Sequence, residues 1–254
     1  MKLTVLGCSA GIAREKRTTC LLLDDDVLLD AGTGAGDMTL DELLRIDHVF
    51  LTHSHLDHIA LLPMIADARV GRREDSLQVH ALPETLKTLR ECVFNYRLWP
   101  DYTAMPERGN PYVRLNEIQI GRSVSVAGRS ITPLPVRHAV PAVGYCIDSG
   151  RASFAFSGDT TLSREFFAAL NAVENLAYLM IETTFLNVNA KSAERSRHMT
   201  GELLAQGLAL LRRRPSVYIT HLEPGREDAT MCEVVEAAGE FAPQRVHHGQ
   251  QFEF

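Results

Sequence analysis

The residues best able to do chemistry lie together: Thr52-His53-Ser54-His55-Leu56-Asp57-His58 puts three imidazoles and one carboxylate within six positions. Spacings of two, two and one let a tight loop turn the His53 and His55 rings to one side while Asp57 and His58 face a neighbouring point. One loop can then serve two metal ions. Imidazole with carboxylate suits zinc, or manganese or iron where oxygen ligands weigh more. A lone histidine is commonly a solvated or satisfied core residue, and any short motif carries a false-positive risk. Four ligand-type side chains at these spacings are hard to explain without a metal, and bound metals of this kind serve hydrolysis.

Two metals need more ligands than one loop supplies, so later strand ends are the place to look. His138 follows an apolar run at 131–136, Asp159 sits in Ser157-Gly158-Asp159-Thr160 after Phe154 to Phe156, and His221 ends a run at 217–220. Each alone is an ordinary turn or cap residue. Their joint occurrence extends the cluster.

The elements that must position these residues are readable from apolar periodicity and turn chemistry. Strands are expected at 3–6, 20–23, 27–29, 48–52 and 77–80, then at 123–126, 131–136, 143–147, 152–157, 178–182, 217–220 and 250–254. Helices are expected at 59–70, 84–94, 163–173, 200–212 and 229–241. Strand-rich and strand–helix stretches in both halves predict two mixed sheets packed face to face with helices outside, an αββα sandwich. At 254 residues, with no linker, repeat or low-complexity tract, the chain reads as one domain over 1–254.

Charge and cysteine usage narrow the function classes. Lys+Arg of 26 against Asp+Glu of 32 gives a net charge of -6 with no basic stripe, which weighs against an extended nucleic acid as partner. Five cysteines without CxxC spacing read as reduced, mostly core thiols in a cytoplasmic protein. The N-terminal residues read as a strand, not a signal peptide, and no apolar stretch is long enough for a membrane span.

Taken in order, HxHxDH, a lone His, a lone Asp and a lone His, these residues resemble the metallo-β-lactamase superfamily across nearly the whole chain. Leu29-Asp30-Ala31-Gly32 is similar to its first motif, whose Asp supports the metal loop by hydrogen bonding. The resemblance implies two divalent ions, zinc foremost, one on His53, His55 and His138 and the other on Asp57, His58 and His221, with Asp159 bridging.

Shared ligands do not settle the substrate. Ile181-Glu182-Thr183-Thr184-Phe185 and Arg197-His198-Met199-Thr200 resemble the Glu and His motifs of the phosphodiesterase branch, where the His, oriented by the Glu, protonates the departing oxygen. Asp57, Glu182 and His198 are the catalytic residues this implies. Within the branch the chain is most similar to class II cyclic-nucleotide phosphodiesterases, through residues 53–59, Gly158-Asp159-Thr160 and Ile219-Thr220-His221-Leu222-Glu223-Pro224-Gly225. Leu61 departs from their pattern, where a small residue is usual. The implied reaction converts a small phosphodiester, a 3′,5′-cyclic nucleotide, to the nucleoside 5′-monophosphate. Alternatives on the same metals are a linear phosphodiesterase, a tRNase Z-like nuclease, a lactonase or a thioesterase. The long basic arm of the tRNA endonuclease has no counterpart, since only twenty residues lie between His138 and Asp159.

Other residues carry weaker signals. The aromatic segment 94–102, with the only Trp, reads as a helix end on the core or a dimer interface before it reads as a base-stacking surface. A second copy of the chain is the only macromolecular partner left open. Arg212 to Arg214 read as helix-terminal charge, His48 and His80 as strand-end residues without named partners, and Gly7, Ser9 and Gly11 as a loop near the pocket.

Overall fold

In the computed structural model, which describes residues 1–254, the first half runs β1 (Lys2–Gly7), β2 (Cys20–Leu23), β3 (Val27–Leu29), α1 (Leu40–Arg45), β4 (His48–Phe50), α2 (Leu56–Ile59), α3 (Leu62–Arg69), β5 (Leu77–Ala81) and α4 (Pro83–Thr88). A small hairpin follows, β6 (Pro106–Glu107) with β7 (Asn110–Pro111), then β8 (Val113–Glu117), β9 (Val124–Val126), β10 (Arg129–Pro135), β11 (Val143–Asp148) and β12 (Ser153–Phe156). The rest is α5 (Arg164–Asn171), β13 (Leu176–Glu182), α6 (Ala190–Ser196), α7 (Gly201–Leu208), β14 (Ser216–Thr220), α8 (Glu227–Ala238), β15 (Gln244–Arg245) and β16 (Gln251–Glu253).

Two seven-stranded mixed sheets form, in the orders β16-β1-β2-β3-β4-β5-β8 and β15-β14-β13-β12-β11-β10-β9. Three apolar clusters define the layers. Leu3, Val5 and Phe50 of the first sheet meet Tyr145, Phe154 and Met180 of the second between the sheets. Val49 and Val79 take Leu62, Ile65 and Leu86 of the helices on one outer face, and Leu179 and Ile219 take Phe166, Leu204 and Val234 on the other. This is the αββα sandwich that the sequence predicts. Because helices and the opposite sheet cover both faces of the second sheet, β12 is buried at every residue and is apolar from Phe154 to Phe156.

Several expected boundaries shift for physical reasons. The helix expected over 59–70 is two helices, because the Leu61 amide donates to the Ala31 carbonyl at 2.9 Å and Pro63 brings no N–H. The helix expected over 84–94 ends at Thr88 and continues as a π-helical turn over Leu89–Val93. Arg212 to Arg214 lie beyond the end of α7 at Leu208, and Arg214 instead pairs with Glu240 at 2.8 Å. Cys20 and Cys146 are buried as expected of core thiols, but Cys92 and Cys232 are exposed. No helix is long and apolar enough to cross a membrane.

Candidate metal centre

Strands β10, β12, β13 and β14 run in one direction, so their C-terminal ends lie along one edge of the second sheet. Those ends lead to His138, Asp159, Glu182 and His221, while the loop leaving β4 brings His53 to His58 against them. The Val143 amide joins the two sheets here, donating to the Thr52 carbonyl at 3.0 Å. Gly158 has φ +57, and a Cβ on it would lie 2.8 Å from Cγ2 of Thr52, so this close approach requires glycine.

The seven residues fall into two groups, His53, His55, His138, Asp159 and Asp57, His58, Asp159, His221, with ligand atoms within 4.8 Å of one another in each. Asp159 belongs to both. Its Oδ2 lies 3.7 Å from His53 Nε2 and 3.9 Å from His138 Nε2, while Oδ1 lies 3.3 Å from His58 Nε2 and 3.4 Å from His221 Nε2. His138 Nε2 also faces His55 Nδ1 at 3.1 Å, and His221 Nε2 faces Asp57 Oδ2 at 3.3 Å.

The outer nitrogens of four rings are already engaged, which assigns their tautomers. His53 Nδ1 donates to Thr52 Oγ1 at 3.0 Å, and His58 Nδ1 to Asp30 Oδ2 at 2.7 Å. His138 Nδ1 donates to the Arg197 carbonyl at 3.2 Å, and His221 Nδ1 to Thr184 Oγ1 at 3.0 Å. Each ring then turns the lone pair of Nε2 inward, an arrangement that holds metal ligands in orientation. His53 Nε2, His58 Nε2 and Asp159 Oδ1 are buried without a hydrogen-bond partner. Buried polar atoms are costly when unpaired, so these inward donors fit divalent cations.

Electrostatics agree with that fit. Burial, with His58 beside it, holds His53 well below the ordinary histidine range, and burial brings His138 down to about 4, so both offer free lone pairs. Burial also opposes charge on His58, but Asp159 and Asp30 on its two sides outweigh it and raise its affinity for a proton. A metal cation draws on the same two carboxylates. Burial works against ionised Asp159, yet His221 and His58 hold its carboxyl well below the usual range.

Glu182 and His198 lie beside the cluster. Glu182 Oε1 accepts from His198 Nδ1 at 2.7 Å and from the Thr160 amide at 2.9 Å, while Oε2 accepts from Thr184 Oγ1 at 3.0 Å. The His198 ring stacks on His221 with centroids 5.4 Å apart and sits 5.0 Å from His138. Burial lowers its proton affinity, but the fully buried Glu182 carboxylate more than compensates and lifts it to about 9.

All ten residues singled out from sequence around this site are brought together: the seven potential ligands, Asp30, Glu182 and His198. Two residues were missed. Thr52 bridges Asp30, His53 and His58, and Thr184 bridges Glu182, His198 and His221. The available signal was a hydroxyl residue adjoining each motif at a strand end. Leu61 packs on the first core, near Gly36, and Phe94, Trp99 and Tyr102 also pack there. The cavity beside His138, about 670 Å³, is lined instead by residues of the 82–84, 118–120 and 136–142 segments and Arg197. His247 and His248 lie elsewhere, with His248 Nδ1 donating to the Leu6 carbonyl at 2.9 Å.

Fold and site together define a protein of a known class, with two groups of residues suited to divalent metal ions. The chain belongs to the metallo-β-lactamase superfamily: the β-lactamase superfamily domain matches residues 26–222. Over 121 residues, 45% of this chain and 33% of the relative, it is 31% identical to a probable 3′,5′-cyclic-nucleotide phosphodiesterase of Yersinia pestis. Over 160 residues, 58% of this chain and 47% of the relative, it is 27% identical to a ribonuclease Z of Haloarcula marismortui. Each match thus spans less than half of the relative's length. The metallo-β-lactamase fold protein YhfI of Bacillus subtilis is similar over 99% of both chains, with a TM-score of 0.77 and 19% identity. With the His/Asp groups described, this membership implies divalent metal ions.

Proposed function

We propose that the protein is a two-metal phosphodiesterase acting on a small phosphodiester, with conversion of a 3′,5′-cyclic nucleotide to the nucleoside 5′-monophosphate as its reaction. The observation that carries this reading is the Glu182–His198 pair, bonded at 2.7 Å beside the ligand cluster. An alkoxide is a poor leaving group, and a positioned acid accelerates its departure by roughly 10² to 10⁴. His198 holds the proton for that oxygen, Glu182 fixes the ring through Nδ1, and Thr184 ties Glu182 to His221. His53, His55, His138 and Asp159 would hold one ion, and Asp57, His58, His221 and Asp159 the other. When bound, the ions supply Lewis acidity toward phosphoryl oxygens and lower the pKa of water, with zinc favoured by the imidazole-rich set.

The name of the Yersinia relative supports the cyclic-nucleotide reading, while that of the Haloarcula relative supports a ribonuclease. A net charge of -6 favours the smaller substrate. Groups drawn from residue 30 to residue 221 support one catalytic unit over 1–254, and five unpaired cysteines are in keeping with a reducing cytoplasm. Metal-loaded protein offered cyclic AMP, cyclic GMP, bis(4-nitrophenyl) phosphate, a structured RNA and an acyl thioester should favour the cyclic nucleotides and release only 5′-monophosphate. Faster turnover of the thioester or the RNA would overturn the proposal.

A further inference from the structure

Arg137 and Arg197 each immediately precede a site histidine, and the fold brings both to the wall of the cavity beside His138. Their backbones are fixed. The Arg137 amide donates to Thr160 Oγ1 at 3.1 Å, and its carbonyl accepts from the Thr161 amide at 2.9 Å. Arg197 caps α6 in the left-handed region, at φ 57, and exchanges two bonds with His138: its carbonyl accepts from Nδ1 at 3.2 Å, and its Nη1 donates to the His138 carbonyl at 2.6 Å. A non-glycine residue held there costs about 1 kcal/mol or more, so surrounding contacts must enforce it.

Both side chains are exposed, and neither forms an ion pair with a carboxylate. They separate the cavity of about 670 Å³ from a second of about 450 Å³. The second also holds Glu194 and Glu202, whereas Glu84 is the sole carboxylate of the larger one. The larger cavity therefore has the cationic excess, and Leu82, Ile118, Ile120 and Val140 give it an apolar wall. A guanidinium presents a planar fork of donors that matches a phosphoryl group, and an apolar wall suits the flat body of a nucleoside.

We infer that Arg137 and Arg197 form a second anion subsite beside the metal-ligand cluster, and that a nucleotide phosphodiester carrying a further phosphoryl group is also a substrate, with that group bound there. This rests on the phosphodiesterase reading and enlarges it: the single phosphate of a cyclic mononucleotide is served by the metal-ligand cluster, and a substrate with a second phosphate engages the arginine pair as well.

Calorimetric titration of metal-loaded protein with adenosine 3′,5′-bisphosphate and adenosine 5′-monophosphate tests the subsite, because neither is a diester. The bisphosphate should bind about tenfold tighter or more, the scale of a charge-assisted contact. That ratio should fall to about twofold or less in Arg137→Gln and in Arg197→Gly, the latter keeping the left-handed backbone. Using the ratio cancels a general loss of affinity. A ratio near one in the native protein, or one unchanged in both variants, overturns the inference. Failure of the same preparation to hydrolyse bis(4-nitrophenyl) phosphate would instead count against the phosphodiesterase reading, with the binding ratio still reporting on the subsite.

Discussion

The two sheets contribute to the site in different ways. The first sheet delivers His53, His55, Asp57 and His58 on one loop, braced from below by Asp30. The second delivers His138, Asp159, Glu182 and His221 one strand end at a time, with His198 after α6. Yet each half contains the same small device: a buried carboxylate bonded to an imidazole at 2.7 Å, with a threonine hydroxyl between neighbours. What differs is the far side of the ring. His58 Nε2 meets Asp159 at 3.3 Å, while His198 forms an ion pair with Glu182 alone. The two carboxylates around His58 suit a cation, and the single carboxylate behind His198 leaves its other nitrogen free for the proton donation proposed above.

The largest effect should come from the residue that joins the halves. Asp159→Ala removes an oxygen from each group, and should reduce bound metal and lower diester turnover roughly a thousandfold or more, checked by metal analysis and initial rates. His198→Ala should slow a diester with an alkoxide leaving group by roughly 10² to 10⁴ while keeping its metal content. Bis(4-nitrophenyl) phosphate, whose leaving group needs little protonation, should suffer much less. Equal losses on both substrates would deny His198 its role as acid.

His80 is the control with no carboxylate. Its Nε2 meets His48 Nδ1 at 3.1 Å, its ring stacks on Phe50 at 4.3 Å, and burial pushes its pKa down to about 4 from an ordinary 6.5. The folded protein then binds fewer protons than the unfolded chain between about pH 4 and 6.5. Stability from this residue is complete above that window and lost as pH falls through it, by up to about 3 kcal/mol. Urea unfolding at pH 7.5 and pH 5 should show a smaller difference between the two pH values in His80→Gln than in the native protein. Asp30→Asn should have the smallest effect, weakening metal binding by about 10- to 100-fold through a misdirected His58, as measured by competition with a chelator.

The uneven legibility of the sequence follows from the same contrast. The loop after β4 is a local motif, so its residues and spacing can be read directly. His138, Asp159 and His221 gain meaning only as an ordered set, because one ligand per strand end is indistinguishable from a turn residue. The layers were readable from apolar runs, but α1 was missed although Thr39 and Glu42 form a capping box. The break at Leu61 could not be read, since it depends on the carbonyl of Ala31 thirty residues away in sequence. Thr52 and Thr184 were overlooked because a threonine becomes a bridge only when the fold sets imidazoles and a carboxylate around it.

Metal stoichiometry measured together with diester hydrolysis on one preparation tests the joining of the two halves most directly. Native protein should hold two divalent ions per chain, lose hydrolysis on chelation and regain it on reloading. One ion per chain, or hydrolysis undiminished after the metal is stripped, would contradict a two-metal phosphodiesterase assembled across the sandwich.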